Sequence, residues 1–196
     1  MNLPNKLTLL RIAMVFVFIP LLFIHGVWAK FAAFLVFLAA SMTDLLDGYL
    51  AKKNNQVTDF GRLMDPIADK ILILSAFLAF VEMGLVPAWM VIVIIFREAA
   101  VTGLRILAMG KGRIIPADAA GKHKTVSQVV VILLILICMI FRESGRLTLW
   151  PAGAESIYRD SVFLLMLITV VLTLISGVSY LVKNREVYSN ANEKTG

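Results

Sequence analysis

Four aspartates, Asp44, Asp47, Asp65 and Asp69, stand at the mouths of apolar runs in the stretch DLLDGYLAKKNNQVTDFGRLMDPIAD, residues 44–69. A carboxylate at the edge of a hydrophobic span is costly unless it is paired or bound to a metal. These acids therefore restrict the fold more than any other feature. Asp44 and Asp47 are spaced i,i+3, and Asp65 and Asp69 i,i+4. On helices, each pair lies along one face, and two helices facing each other aim four carboxylates at one point. Taken singly, each acid reads as an ordinary solvated carboxylate at a helix end. Four at these spacings, between two spans, read as a site. Asp59 falls in the polar connection and reads as a loop residue or a cap.

The ligand type decides the chemistry. Clustered carboxylates without neighbouring His or Cys suit hard cations such as Mg²⁺ or Mn²⁺, which also bind substrate phosphates. Two such ions, about 3.5–4 Å apart, can clamp the attacking and leaving oxygens of a phosphoryl displacement. Gly48 and Gly61 allow backbone to approach a ligand closely, and Lys52 and Lys53 add positive charge. A Ca²⁺-binding EF-hand is excluded, because DLLDG lacks the alternate-residue ligands of that loop.

The chain has 196 residues, of which 60% are hydrophobic and only 16% charged. Soluble domains are less apolar and more charged, so the composition predicts an all-α polytopic membrane protein with one domain over residues 1–196. The single cysteine, Cys138, excludes an internal disulfide and reads as a small buried or lipid-facing residue. Six apolar spans follow from the pattern. The first runs to Ile24, broken only by Arg11, which reads equally as an interfacial anchor. The others run from about Val27 to Thr43, from Phe60 to Val81, through WMVIVIIF and beyond, from Val126 to Phe141 and from Ser161 to Val182. The apolar half of the third is shorter than the ~20 residues a crossing needs, so its charged half must face protein or water at membrane depth. Pro66 is expected to kink or start that helix. Trp150 and Tyr158 suit an interfacial aromatic belt.

Span four ends in Arg97, Glu98, Thr102 and Arg105, with Glu98, Thr102 and Arg105 on one face. Glu98 reads as a structural ion-pair partner of Arg105 or Arg97, and Arg105 as a ligand. Gly121, Lys122, Lys124 and Thr125 fall where the fifth helix should begin, and a helix N-terminus bearing lysines is a natural phosphate site. Simple anchoring by lysines is an equal alternative. Six spans place both termini on one side. Fifteen of the nineteen Lys and Arg fall on that side, leaving Lys30, Arg142, Arg146 and Arg159 opposite. The positive-inside rule therefore predicts cytoplasmic termini and a polar active-site cavity facing the cytoplasm. The net charge of +6 reflects this topology and does not call for nucleic acid.

The 44–69 stretch resembles the signature of the CDP-alcohol phosphotransferases, D-x2-D-G-x2-A-R-x8-G-x3-D-x3-D. One position departs: Lys52 stands where the pattern has Arg, a point charge in place of a bidentate fork. Three further stretches are similar to the bacterial phosphatidylglycerophosphate synthases of that family. They are Pro4, Asn5, Leu7, Thr8 and Arg11; Arg97-Glu98 with Val101-Thr102-Gly103-Leu104-Arg105; and Gly121-Lys122 with Lys124-Thr125. The resemblance implies transfer of the phosphatidyl group from CDP-diacylglycerol to sn-glycerol 3-phosphate, with release of CMP, by a homodimer in the bacterial cytoplasmic membrane. It implies two Mg²⁺ or Mn²⁺ held by Asp44, Asp47, Asp65 and Asp69, with Asp69 as the base. It implies a nucleotide cradle of Gly48, Ala51, Lys52 and Gly61. An anionic acceptor calls for Arg and Lys, and Arg105, Lys122, Lys124 and Arg97 are the candidates. Three readings compete: the same chemistry with another alcohol such as inositol phosphate, a cation transporter with intramembrane carboxylates, and an aspartate-rich membrane prenyltransferase, against which the DG-x2-A core speaks.

Overall fold

The structure, a computed structural model, describes residues 3–54, 59–110, 119–144 and 153–185. Side chains are described at 9–43, 68, 70–110, 124–144, 153 and 155–185. Among the described residues the chain is all-helical, with six helices: α1 (Leu3–Phe23), α2 (Val27–Asn54), α3 (Asp59–Glu82), α4 (Ala88–Gly110), α5 (Ala119–Glu143) and α6 (Ala154–Lys183).

Short turns set the alternation of direction. Gly26 joins α1 to α2 at φ 113° and Gly84 joins α3 to α4 at φ 69°, left-handed positions that glycine adopts without a steric penalty. The Gly84 and Leu85 amides donate to the Val81 and Phe80 carbonyls, both at 2.9 Å, and close α3. Lys30 is buried, and its Nζ donates to the Leu22 and Ile24 carbonyls at 2.5 and 2.9 Å, capping α1 with a cation. The Gly26 amide donates to Glu143 Oε2 at 3.0 Å, tying the α1–α2 turn to the end of α5.

The core runs through all six helices and includes Phe18, Phe37, Phe77, Phe80, Met90, Ile94, Ile132, Ile135, Leu136 and Met166, all fully buried. The Phe18 and Phe37 rings meet at 5.5 Å in a tilted pair. The outer surface is apolar as well. Phe16, Trp28 and Phe96 are at least three-quarters exposed, and large aliphatic residues are exposed on every helix with described faces. Soluble monomers rarely expose large contiguous apolar patches, so this belt suits lipid. Lys124–Glu143 and Glu155–Lys183 are long and apolar enough to cross a membrane, and Leu9–Phe23 and Val27–Thr43 are shorter apolar helical stretches.

The helices outrun the apolar segments that announce them. The expected second span ends at Thr43, but α2 continues to Asn54, because the residues that follow, Leu, Ala and Lys among them, are good helix formers. At about 1.5 Å per residue α2 is about 42 Å long, against a hydrocarbon core of ~30 Å. Pro66 does not start α3, which begins at Asp59 and passes through it. Helix α5 begins at Ala119, just ahead of the expected start at Gly121 to Thr125, and α6 begins at Ala154 rather than Ser161. Arg11 is fully buried and is not a snorkelling anchor. Tyr158 is buried among the helices and does not join an interfacial belt; Trp150 lies outside the described residues.

Phe37→Ala removes half of the aromatic pair and leaves a cavity, which costs about 3–5 kcal/mol. Its thermal midpoint in detergent should fall well below that of Phe96→Ala, which trims an outward-facing ring.

Candidate active site

The alternation of helices brings the C-terminal halves of α2, α4 and α6 and the N-terminal halves of α3 and α5 to one end of the bundle. Asp44 and Asp47 lie on α2, Asp65 and Asp69 on α3, and these two helices pack on each other. Both pairs therefore fall within continuous helices, where i,i+3 and i,i+4 positions share a face. Gly48, Ala51 and Lys52 follow on α2, Gly61 opens α3, and Lys122 lies in the first turns of α5. The side chains of all these residues lie outside the described set.

The neighbouring side chains are described, and they form one polar network inside the bundle. Its centre is Glu98 on α4. Its Oε1 accepts from Arg97 Nη1 at 3.2 Å and from Lys124 Nζ, and its Oε2 lies 3.8 Å from Lys70 Nζ. Lys70, next in sequence to Asp69, also donates to the Thr102 hydroxyl. Arg97, Glu98 and Lys124 are 9%, 8% and 5% exposed, so water contributes little and each charge depends on its neighbours.

Helix α6 completes the network. Arg97 Nη2 donates to Ser176 Oγ at 2.8 Å. The arginine stem crosses α6 at Gly177, where a β-carbon would sit 2.7 Å from Arg97 Cγ. One helical turn after Ser176, Tyr180 Oη accepts from Arg105 Nε at 3.1 Å, and the guanidinium carbon lies 5.5 Å from the ring centroid. Helix α4 thus divides its charges. Arg97 and Arg105 turn to α6, while Glu98 and Thr102 turn to α3 and α5.

Glu98 is the ion-pair partner of Arg97, one of the two expected, but Arg105 goes to Tyr180 instead. Lys124 lies in the second turn of α5 rather than at its start, and engages Glu98. Arg97, expected as an acceptor ligand, has both terminal nitrogens committed to protein partners. Sequence reasoning missed Lys70, Ser176, Gly177 and Tyr180. One signal was present: Thr169, Thr173 and Ser176, at i, i+4 and i+7 in an apolar run, are all buried and mark an inward polar stripe. Gln128, one turn after Lys124, is likewise buried.

At the opposite end, a cavity of about 540 Å³ is lined by His25, Lys30, Arg142 and Glu143 over an apolar floor. His25 Nδ1 there is 3.9 Å from Glu143 Oε1.

The sequence profile of the CDP-alcohol phosphatidyltransferase family matches residues 1–176. A CDP-diacylglycerol–glycerol-3-phosphate 3-phosphatidyltransferase of Bacillus subtilis is 38% identical over 203 residues, covering 97% of this chain and 99% of the relative. A probable phosphatidylglycerophosphate synthase of Mycobacterium tuberculosis is 38% identical over 185 residues, covering 93% and 81%. A CDP-diacylglycerol–glycerol-3-phosphate 3-phosphatidyltransferase of Rickettsia bellii is 37% identical over 181 residues, covering 91% and 93%.

Removing the shared carboxylate leaves buried cations without their counter-charge. Glu98→Ala should therefore destabilise the protein by about 3–5 kcal/mol, read as a lower thermal midpoint and poor recovery in detergent. Gly177→Ala should lower the midpoint too, because the new methyl meets the base of the Arg97 stem rather than its flexible end.

Proposed function

The chain belongs to the CDP-alcohol phosphatidyltransferase family, and from that premise we propose that it transfers the phosphatidyl group of CDP-diacylglycerol to sn-glycerol 3-phosphate. The products are phosphatidylglycerophosphate and CMP. The relatives named for this reaction align along nearly the whole chain.

The observation that carries the acceptor is the charge balance beside the aspartate-bearing helices. Arg97, Lys124 and Arg105 bring three positive charges, and Glu98 is the one carboxylate they touch among the described residues. An excess of cations in a weakly polar interior favours an anion. A phosphate monoester fits, with charge to balance and oxygens to accept hydrogen bonds. Arg105, Lys122 and Lys124 bind the acceptor phosphate, and Arg97 stands behind them.

The donor occupies α2 and α3. Asp44, Asp47, Asp65 and Asp69 form an all-oxygen donor set on adjoining helices, which fits Mg²⁺ or Mn²⁺. Two such ions, when bound, neutralise the diphosphate and stabilise the departing CMP. Gly48, Ala51, Lys52 and Gly61 cradle the nucleotide. Asp69 accepts the proton of the glycerol hydroxyl as its oxygen attacks the lipid-side phosphorus, and the bond from that phosphorus to CMP breaks. Six membrane spans, cytoplasmic termini and a homodimer in a bacterial cytoplasmic membrane complete the reading. The positive-inside bias supports the orientation.

A panel of acceptors tests this. Protein purified in detergent receives CDP-diacylglycerol, Mg²⁺ and one alcohol at a time. CMP release should require glycerol 3-phosphate and stop with EDTA; release with inositol phosphate in its place would move the acceptor reading to that alcohol. Asp69→Asn should lower kcat by about 100-fold or more while nucleotide binding persists. Retained turnover in that variant would remove Asp69 as the base.

A further inference from the structure

We propose that Tyr180 is a positioning residue that aims Arg105 and so sets the affinity for the acceptor phosphate; this rests on the glycerol 3-phosphate reading above. Tyr180 lies beyond residues 1–176, the span matched by the family profile.

Tyr180 is a fixed platform. It is buried, and it packs with Val101, Leu104 and Ala108 of α4 in a small apolar cluster separate from the main core. Its hydroxyl accepts from Arg105 Nε, and its ring lies beneath the guanidinium. A long, flexible arginine is thereby held at its Nε edge by a group that cannot swing away. The hydrogen bond uses the one N–H on the stem side and leaves the Nη1–Nη2 fork without a partner among the described residues. That fork is the edge of a guanidinium that grips two phosphate oxygens at once.

Arg97 provides the contrast. Ser176, one turn earlier on α6, binds its Nη2, and Glu98 binds its Nη1. Its fork is consumed, and its stem is pinned over Gly177. The same face of α6 therefore treats the two arginines of α4 differently. Arg97 is locked as a brace, whereas Arg105 is oriented and left open.

Steady-state kinetics separate aim from mere support. Tyr180→Phe keeps the ring and its packing and removes only the hydroxyl. It should raise KM for glycerol 3-phosphate about tenfold, leave KM for CDP-diacylglycerol unmoved, and change kcat less than KM. Arg105→Gln should raise the acceptor KM at least as far, and adding Tyr180→Phe to it should have no further effect, because the two residues act as one unit. Arg105→Lys lacks Nε–H and should likewise be insensitive to Tyr180→Phe, which supplies a second pair of proteins for the same comparison. An unchanged acceptor KM in Tyr180→Phe overturns the proposal. So do additive effects, or a rise in both substrate KM values with a lower thermal midpoint. The underlying reading fails separately. Wild-type protein that releases no CMP with glycerol 3-phosphate removes that acceptor. An Arg105→Gln enzyme with normal acceptor KM removes Arg105 from the site, whatever Tyr180 does.

Discussion

A carboxylate sealed among helices persists only with its counter-charges, and Glu98 is the carboxylate on which this end of the bundle depends. It gathers Arg97 from its own helix, Lys124 from α5 and Lys70 from α3, and through Arg97 it reaches Ser176 on α6. Four helices are thus joined by one acid. Apolar packing alone gives weak direction to helices in lipid, since neither side chain nor solvent gains by the exchange. Polar contacts supply what packing lacks, and here they fix how far α3, α5 and α6 can slide along α4.

The division of charge follows from that arrangement. The four aspartates of the 44–69 stretch lie on α2 and α3, Arg97, Arg105 and Lys124 lie on α4 and α5, and α6 supplies neutral acceptors, a serine hydroxyl and a phenol. Lys70, immediately after Asp69, links the two territories through Glu98 and Thr102. One end of the molecule thus carries the helix segments that bear the four aspartates and the arginines and lysine around Glu98, the two halves of the site proposed above. That combination is suited to joining two phosphorylated substrates while each keeps its own binding groups. The other end is tied down by backbone capture: Lys30 on the last carbonyls of α1, and Glu143 on the Gly26 amide.

Much of this was legible in the sequence, for identifiable reasons. Six helices were readable because apolar runs of that length have no other use in a chain so poor in charge. The spacing of Asp44, Asp47, Asp65 and Asp69 was readable because a helical period converts directly into a shared face. Helix ends were not, since the apolar run stops at Thr43 while Leu45, Leu46, Leu50, Ala51 and Lys52 favour helix, so α2 continues to Asn54. Arg11 looked like an anchor because its position near the terminus said nothing of the helices packed around it. The partner of Arg105 was hidden for a similar reason. On α4 alone, Glu98 is the nearest acid at helical spacing, and only the packing of α6 reveals that a tyrosine far along the chain has taken that place. Gly177 carried no signal, because its role is the room it leaves for another helix's side chain.

The overhang of α2 has a consequence for how a lipid is handled. The apolar stretch Val27–Thr43 accounts for a little over half of a helix about 42 Å long, and Asp44 and Asp47 begin the remainder. In the membrane orientation proposed above, this remainder begins near the headgroup edge of the bilayer, since Val27–Thr43 spans about 26 Å of a ~30 Å hydrocarbon core. A diphosphate carried on diacylglycerol already lies at that depth. On that reading the chain has no need to lift a lipid donor out of the leaflet. Such a donor would arrive by sliding sideways, its tails left in place, without the energetic barrier that extraction of two acyl chains imposes.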